Sequence, residues 1–84
     1  MKKEEIKEVL EVIRIAYPKY YLNMSIEDMK KTIELYTEMF ASENKEDVIK
    51  AVKESISNSN YPPTIAEIKN IIHKQTEWEL IEWH

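Results

Sequence analysis

Tyr61-Pro62-Pro63-Thr64-Ile65-Ala66-Glu67-Ile68 is the stretch that decides how this chain folds. Two prolines in succession end whatever helix precedes them, because proline offers no backbone N–H and pushes the residue before it out of the α conformation. The Thr64 hydroxyl then stands where it accepts a hydrogen bond from a free N–H of a new first turn. Glu67, three residues on, is spaced to reach back to the Thr64 amide, which completes a capping box. Ile65, Ile68 and Ile72 recur at helical steps. A helix therefore starts at Thr64, behind a rigid and partly aromatic connector.

The same punctuation is found upstream. Ile6, Val9, Leu10, Ile13 and Tyr17 share one face of a helix from Lys3 to about Tyr17, with Glu4, Glu5, Glu8 and Glu11 towards its anion-favouring N-terminal half. Val12 and Ile15 fall off this stripe and widen it, so the helix is expected to be contacted on two sides. Pro18 stops it. Lys19-Tyr20-Tyr21-Leu22-Asn23-Met24-Ser25 follows, richer in aromatic residues than a solvated loop requires. Tyrosines there cap a core edge or anchor a protein interface, and Tyr20 and Tyr21 are read as sharing those two roles.

Ser25 is placed to cap a second helix whose stripe is Ile26, Met29, Ile33, Tyr36 and Phe40, extended by Leu35 and Met39, ending near Ala41 to Glu43. The short connection Ser42-Glu43-Asn44 predicts that the second and third helices pack antiparallel as neighbours. Asn44 is placed to cap the third helix, roughly Lys45 to Ser57, with Val48, Ile49, Val52 and Ile56 as its stripe. The chain has no glycine. Its helices must close some other way, and Asn23, Asn44, Asn58 and Asn60 sit where a residue tolerant of left-handed backbone would serve.

The expectation is an all-α fold, a small bundle of four helices, with a possible extra short helix at the C-terminus. Residues 1–75 form the bundle domain. Residues 76–84 form an acidic, aromatic tail or an extension of the last helix. Two readings of Trp78 and Trp83 stand side by side: they fold back on the core, or they cover a partner's pocket.

Composition narrows the function. At 84 residues the chain supports a single modest core. Without glycine there is no phosphate-cradling loop, and without cysteine no thiolate chemistry or disulfide framework. His73 has no second histidine at ligand spacing; pairing with Glu77 or solvation is the plainer reading. No catalytic set, cofactor site or metal site is expected, and the protein is read as no enzyme. The net charge of −4 argues against direct nucleic-acid binding over the whole surface. No apolar run is long enough to span a bilayer, and no membrane association is expected. A binding module remains, with Tyr20, Tyr21, Tyr61, Trp78 and Trp83 as candidate partner-binding residues, in a monomer or weak homodimer.

Four segments together carry a resemblance: Ala16-Tyr17-Pro18-Lys19-Tyr20-Tyr21, then Asn23-Met24-Ser25 opening a helix, then Thr37-Glu38-Met39-Phe40 near its end, then Tyr61 to Ile68. In that order and spacing the chain resembles the phage replicative-helicase loader and inhibitor family of Gram-positive bacteria, over roughly Lys3 to His73. The resemblance implies a helical N-terminal bundle followed by a flexible C-terminal part. It also implies a protein that binds a hexameric replicative helicase or its loader in the host cytoplasm, restrains the helicase ATPase and helps deliver it during phage DNA replication, as an adaptor without ATPase activity of its own. The alternative is a phage-encoded inhibitor of another host protein that acts by surface blocking.

Overall fold

A computed structural model describes the backbone of residues 1–82 and the side-chain surroundings of residues 1–74. It contains α1 (Lys3–Ala16), a short 3₁₀ turn (Pro18–Tyr20), α2 (Ile26–Met39), α3 (Lys45–Asn58) and α4 (Ile65–Glu82), and no strand among the described residues.

Each helix starts where a side chain meets free amides of its first turn. The Lys2 N–H donates to the Glu5 carboxylate at 2.9 Å. Ser25 Oγ accepts from the Asp28 N–H at 3.0 Å, and Asn44 Oδ1 accepts from the Asp47 N–H at 3.0 Å. Thr64 Oγ1 accepts from the Glu67 N–H at 3.2 Å, as its position predicts. The other half of that cap differs from expectation. Glu67 does not take the Thr64 amide; its Oε1 accepts the Thr64 hydroxyl proton at 3.2 Å, so a single hydroxyl is oriented by both of its neighbours.

The helix ends depart further from the sequence reading. None of the described residues has a positive φ, so asparagine does not play the left-handed role expected of it. Tyr17 closes α1 at φ −130°, Phe40 closes α2 at φ −108°, and Ser59 closes α3 in extended backbone at φ −142°. Pro18 explains the first of these, because its ring excludes the α conformation at Tyr17. Asn58 instead turns its amide back to the Glu54 carbonyl at 2.9 Å, and Ser57 Oγ donates to the Lys53 carbonyl at 3.1 Å. The carbonyls of the turn that follows α2 receive the Met1 amino group. The Met1 ammonium lies 3.2 Å from the Ala41 carbonyl and 3.5 Å from those of Phe40 and Glu43, a cation at the negative end of the helix dipole.

Packing is organised by α1, which has α2 on one side and α3 on the other, while α4 packs on α3. The two-sided coverage expected of α1 is present. The expected α2–α3 neighbourhood is not: the short connection joins two helices that both lie principally against α1. Ile6, Val9, Ile13, Phe40, Val48, Ala51, Val52 and Ile68 are completely buried, with Leu10, Tyr17 and Ile72 close behind. Along α3 the buried line is Val48, Ala51, Val52 and Ser55, with Ile49 and Ile56 half-buried at its edge. The stripe is rotated from the expected one because small residues admit a neighbouring backbone that isoleucine would hold off.

α2 is an outer helix. None of its own residues is fully buried, and Met29, Ile33 and Tyr36 are half-covered. Its anchor is Phe40, just past its end, against Tyr36 at 5.8 Å between ring centroids and beneath the Lys69 ammonium, 5.6 Å from the ring centre. Ile26, placed in the apolar stripe by its spacing, is 80% exposed. It belongs to the first turn of α2, which overhangs the bundle. Leu35, Met39 and Ile15 are also exposed, while Val12 is half-buried. α4 is one continuous helix to Glu82, without a separate C-terminal helix in the described backbone.

Ile68→Ala is expected to lower unfolding free energy by about 2–4 kcal/mol, the cost of a cavity at a completely buried site. Ala51→Leu is expected to cost about 1–3 kcal/mol by overfilling the α3 line. Urea melts of both variants check this, and a neutral Ala51→Leu would show that α3 has room the packing denies it.

Candidate protein-interaction site

The proline-containing segments after α1 and before α4 meet in space. Tyr17 carries its ring into the core at 8% exposure, and its hydroxyl donates to the Ser59 carbonyl at 2.7 Å. That bond ties the end of α1 to the segment after α3. Ser59 also accepts, through Oγ, the Tyr61 N–H at 3.1 Å. Pro63 is buried and Pro62 half-buried, so the connector is seated from below and its direction is set before α4 begins.

On this base stands a row of three rings. Tyr17 and Tyr20 meet edge to face with centroids 6.4 Å apart and planes at 80°. Tyr20 and Tyr61 repeat the arrangement at 6.4 Å and 71°. Edge-to-face contacts of this kind hold rings in place beyond simple area burial. The innermost ring is buried, Tyr20 is 47% exposed and Tyr61 is 67% exposed. The row thus leads from core to solvent and ends in two positioned aromatic faces with hydroxyl tips. Leu22, in the turn directly after Tyr20 and Tyr21, is 77% exposed.

Of the five residues singled out from sequence, Tyr20 and Tyr61 are brought together. Tyr21 lies elsewhere, half-buried against the core and close enough to Tyr36 on α2 for its charge to be felt there. Burial pushes the phenol of Tyr21 above its ordinary value; burial, reinforced by the charge of Tyr21, pushes up that of Tyr36. Trp78 and Trp83 fall outside the residues whose side chains are described, and so does the Glu77 partner considered for His73. Local spacing does not reveal the Tyr17–Ser59 bond or the Tyr20–Tyr61 contact, since each joins residues some forty positions apart. The sequence signal for them is that both segments combine tyrosine with proline.

Other clefts are shallow. One of about 400 Å³ runs between α3 and α4, lined by Glu54, Ser55, Asn58, Glu67, Ile71 and Lys74. Among the described residues no three histidine or acidic side chains converge as a metal cluster would need, and no helix is long and apolar enough to cross a membrane. Ion pairs are peripheral: Arg14 with Glu11 at 2.9 Å, and Lys45 with Glu8 at 2.6 Å. The hydrogen bond that Lys45 donates to Glu8, together with the Glu8 charge, raises the Lys45 pKa.

Comparison with known proteins gives one finding. A family model of the N-terminal domain of the phage SPP1 helicase loader matches residues 1–69. No curated protein and no solved structure gives a significant match.

The raised phenols set a pH dependence. A tyrosine whose folded pKa exceeds its unfolded value of 10.0 contributes stability that is complete below that pH and is lost as pH rises through the folded pKa. Lys45 acts in the same direction. Unfolding free energy is therefore expected to hold level up to about pH 10 and then to fall. Tyr21→Phe and Tyr36→Phe are expected to soften that fall, read from urea melts at stepped alkaline pH. An unchanged alkaline profile in both variants would contradict the assignment.

Proposed function

The chain belongs to the phage helicase-loader family represented by that match, and from that premise we propose that it is a non-enzymatic adaptor. It binds a hexameric replicative helicase, or the helicase's loader, holds back the motor's ATPase and brings it to the replication start. The work is done by occupying a protein surface. The Tyr20–Tyr61 face is the contact.

One observation carries the choice of surface. Two tyrosines from distant segments are fixed edge to face on a rigid base while about half or more of each stays in solvent. Tyrosines held in one rotamer lose little entropy on binding and carry both apolar area and a hydrogen-bonding tip, which is why they recur among energetically dominant interface residues. A core needs neither ring in that position. The acidic balance of the chain and its lack of glycine-rich phosphate loops fit a protein that handles another ATPase rather than ATP itself.

Affinity measurement against the cognate helicase, with and without ATP, tests this. Tyr20→Ala and Tyr61→Ala are each expected to weaken the complex by roughly tenfold or more. Each is expected to cost under about 1 kcal/mol of stability, as for an exposed position. Absence of any complex with the unmodified chain would sink the adaptor reading. A complex insensitive to both substitutions would sink the choice of surface and leave the adaptor reading standing.

A further inference from the structure

A groove runs between α1 and α2, made of two adjoining clefts of about 280 and 220 Å³ that share Lys7 and Ile33. Along α1 its lining runs from Lys3 to Arg14, a length of about 16 Å at the helical rise. Leu10, Met29 and Ile33 make an apolar floor. Ile26, 80% exposed and two turns before Ile33 on the same face of α2, prolongs that floor towards solvent. Both walls carry cations, Lys3 and Lys7 on α1 and Lys30 on α2. All three are exposed and enter no ion pair among the described residues, whereas Arg14 is held by Glu11. The lining sets four cations against Glu11 and Glu34, on a chain of net charge −4. The groove is thus a local reversal of the protein's charge, laid along an apolar strip. None of its residues belongs to the Tyr20–Tyr61 face.

Shape and charge together select the occupant. A nucleic-acid strand uses lysines but gains nothing from Ile26, Met29 and Ile33, and no aromatic ring lines the groove for its bases to stack on. An extended peptide turns only every second side chain to the floor. An amphipathic helix presents a continuous apolar stripe with polar positions on both flanks, which matches a floor that has cations on each wall. Lys3 and Lys7 stand one helical turn apart, the spacing of carboxylates at i and i+4 on an opposing helix.

We infer that the α1–α2 groove is a docking site for an acidic amphipathic helix of another protein, about three turns long. The apolar stripe of that helix lies on Leu10, Met29, Ile33 and Ile26. Its Asp and Glu side chains meet Lys3 and Lys7 on one wall and Lys30 on the other. The assignment rests on the groove alone and is independent of the helicase reading and of the tyrosine face.

The test titrates the full chain into two fluorescein-labelled synthetic helices and reads anisotropy. Both helices match the groove in length and carry the same leucine stripe; glutamates flank it in one and lysines in the other. The acidic helix is expected to bind saturably and about tenfold or more tighter than the basic one, a margin that narrows as salt rises. Lys7→Glu with Lys30→Glu should weaken the acidic helix about tenfold or more and turn the preference towards the basic one. Ile26→Ser, on the floor, should weaken both helices alike, and helical circular dichroism of both variants should stay unchanged. Trp78 and Trp83 are the chain's only tryptophans, so emission of the chain alone reports on its C-terminal segment. Emission that shifts with the lysine reversals would place that segment in the groove. A dimer, seen by light scattering, that the acidic helix disperses would place a second copy there. Tighter binding of a labelled oligothymidylate than of the acidic helix would assign the groove to nucleic acid. Each of these overturns the proposal, as do failure of the acidic helix to bind, equal affinity for the two helices, or affinity indifferent to the lysine reversals.

Discussion

Burial of Ile6, Val9, Leu10 and Ile13 along α1, widened by half-covered Val12, constrains everything around that helix. An apolar surface of that breadth cannot be covered by one neighbour. α2 takes one side and α3 the other, so the two are kept from being each other's main partner despite the short connection between them. α4 is then left with α3 as its main support, and it reaches the end of α2 through Phe40 beneath Lys69. At the far end of α1, the buried Tyr17 has to satisfy a hydroxyl that its own helix cannot serve, and the Ser59 carbonyl does so. The position of the connector before α4, and of the rings standing on it, follows from that satisfied bond.

Features that depend on a few consecutive residues are legible in the sequence. Ser25, Asn44 and Thr64 cap the helices that their positions predict, because an N-cap is a contact three residues long. Pro18 stops α1 for reasons confined to its own ring, whereas α3 ends at Asn58, before Pro62-Pro63 are reached. What the sequence hides is what depends on distant packing. Ile26 has the spacing of a core residue, but spacing states only which residues share a face and not how far along the helix the neighbour extends. The buried line of α3 is hidden for a related reason: Ala51 and Ser55 carry little hydropathy of their own and become core by admitting another helix. Left-handed asparagine is one substitute for missing glycine, yet the described helices close instead through residues of negative φ, Tyr17, Phe40 and Ser59.

Half of the candidate site is within reach of sequence reasoning. Tyr20 and Tyr61 stand out because aromatic residues in polar connections need a reason. Their contact lies beyond any local rule. Tyr21, one position from Tyr20, has a different environment entirely, since a 3₁₀ turn separates the directions of successive side chains and sends one ring towards Tyr36 and the other to Tyr61. Family resemblance pairs the two segments in order, but only the Tyr17–Ser59 bond gives the physical cause for their proximity.

The negative φ of every described residue, in a chain without glycine, also bears on the state that competes with the fold. Glycine is the residue with most backbone freedom to lose on folding, and here there is none. The three prolines further restrict the unfolded ensemble. The disordered chain is stiffer than its length suggests, so ordering it costs less entropy per residue than in a glycine-bearing bundle. A small core with a half-covered outer helix can then suffice, because part of this protein's stability comes from the narrowness of its alternatives.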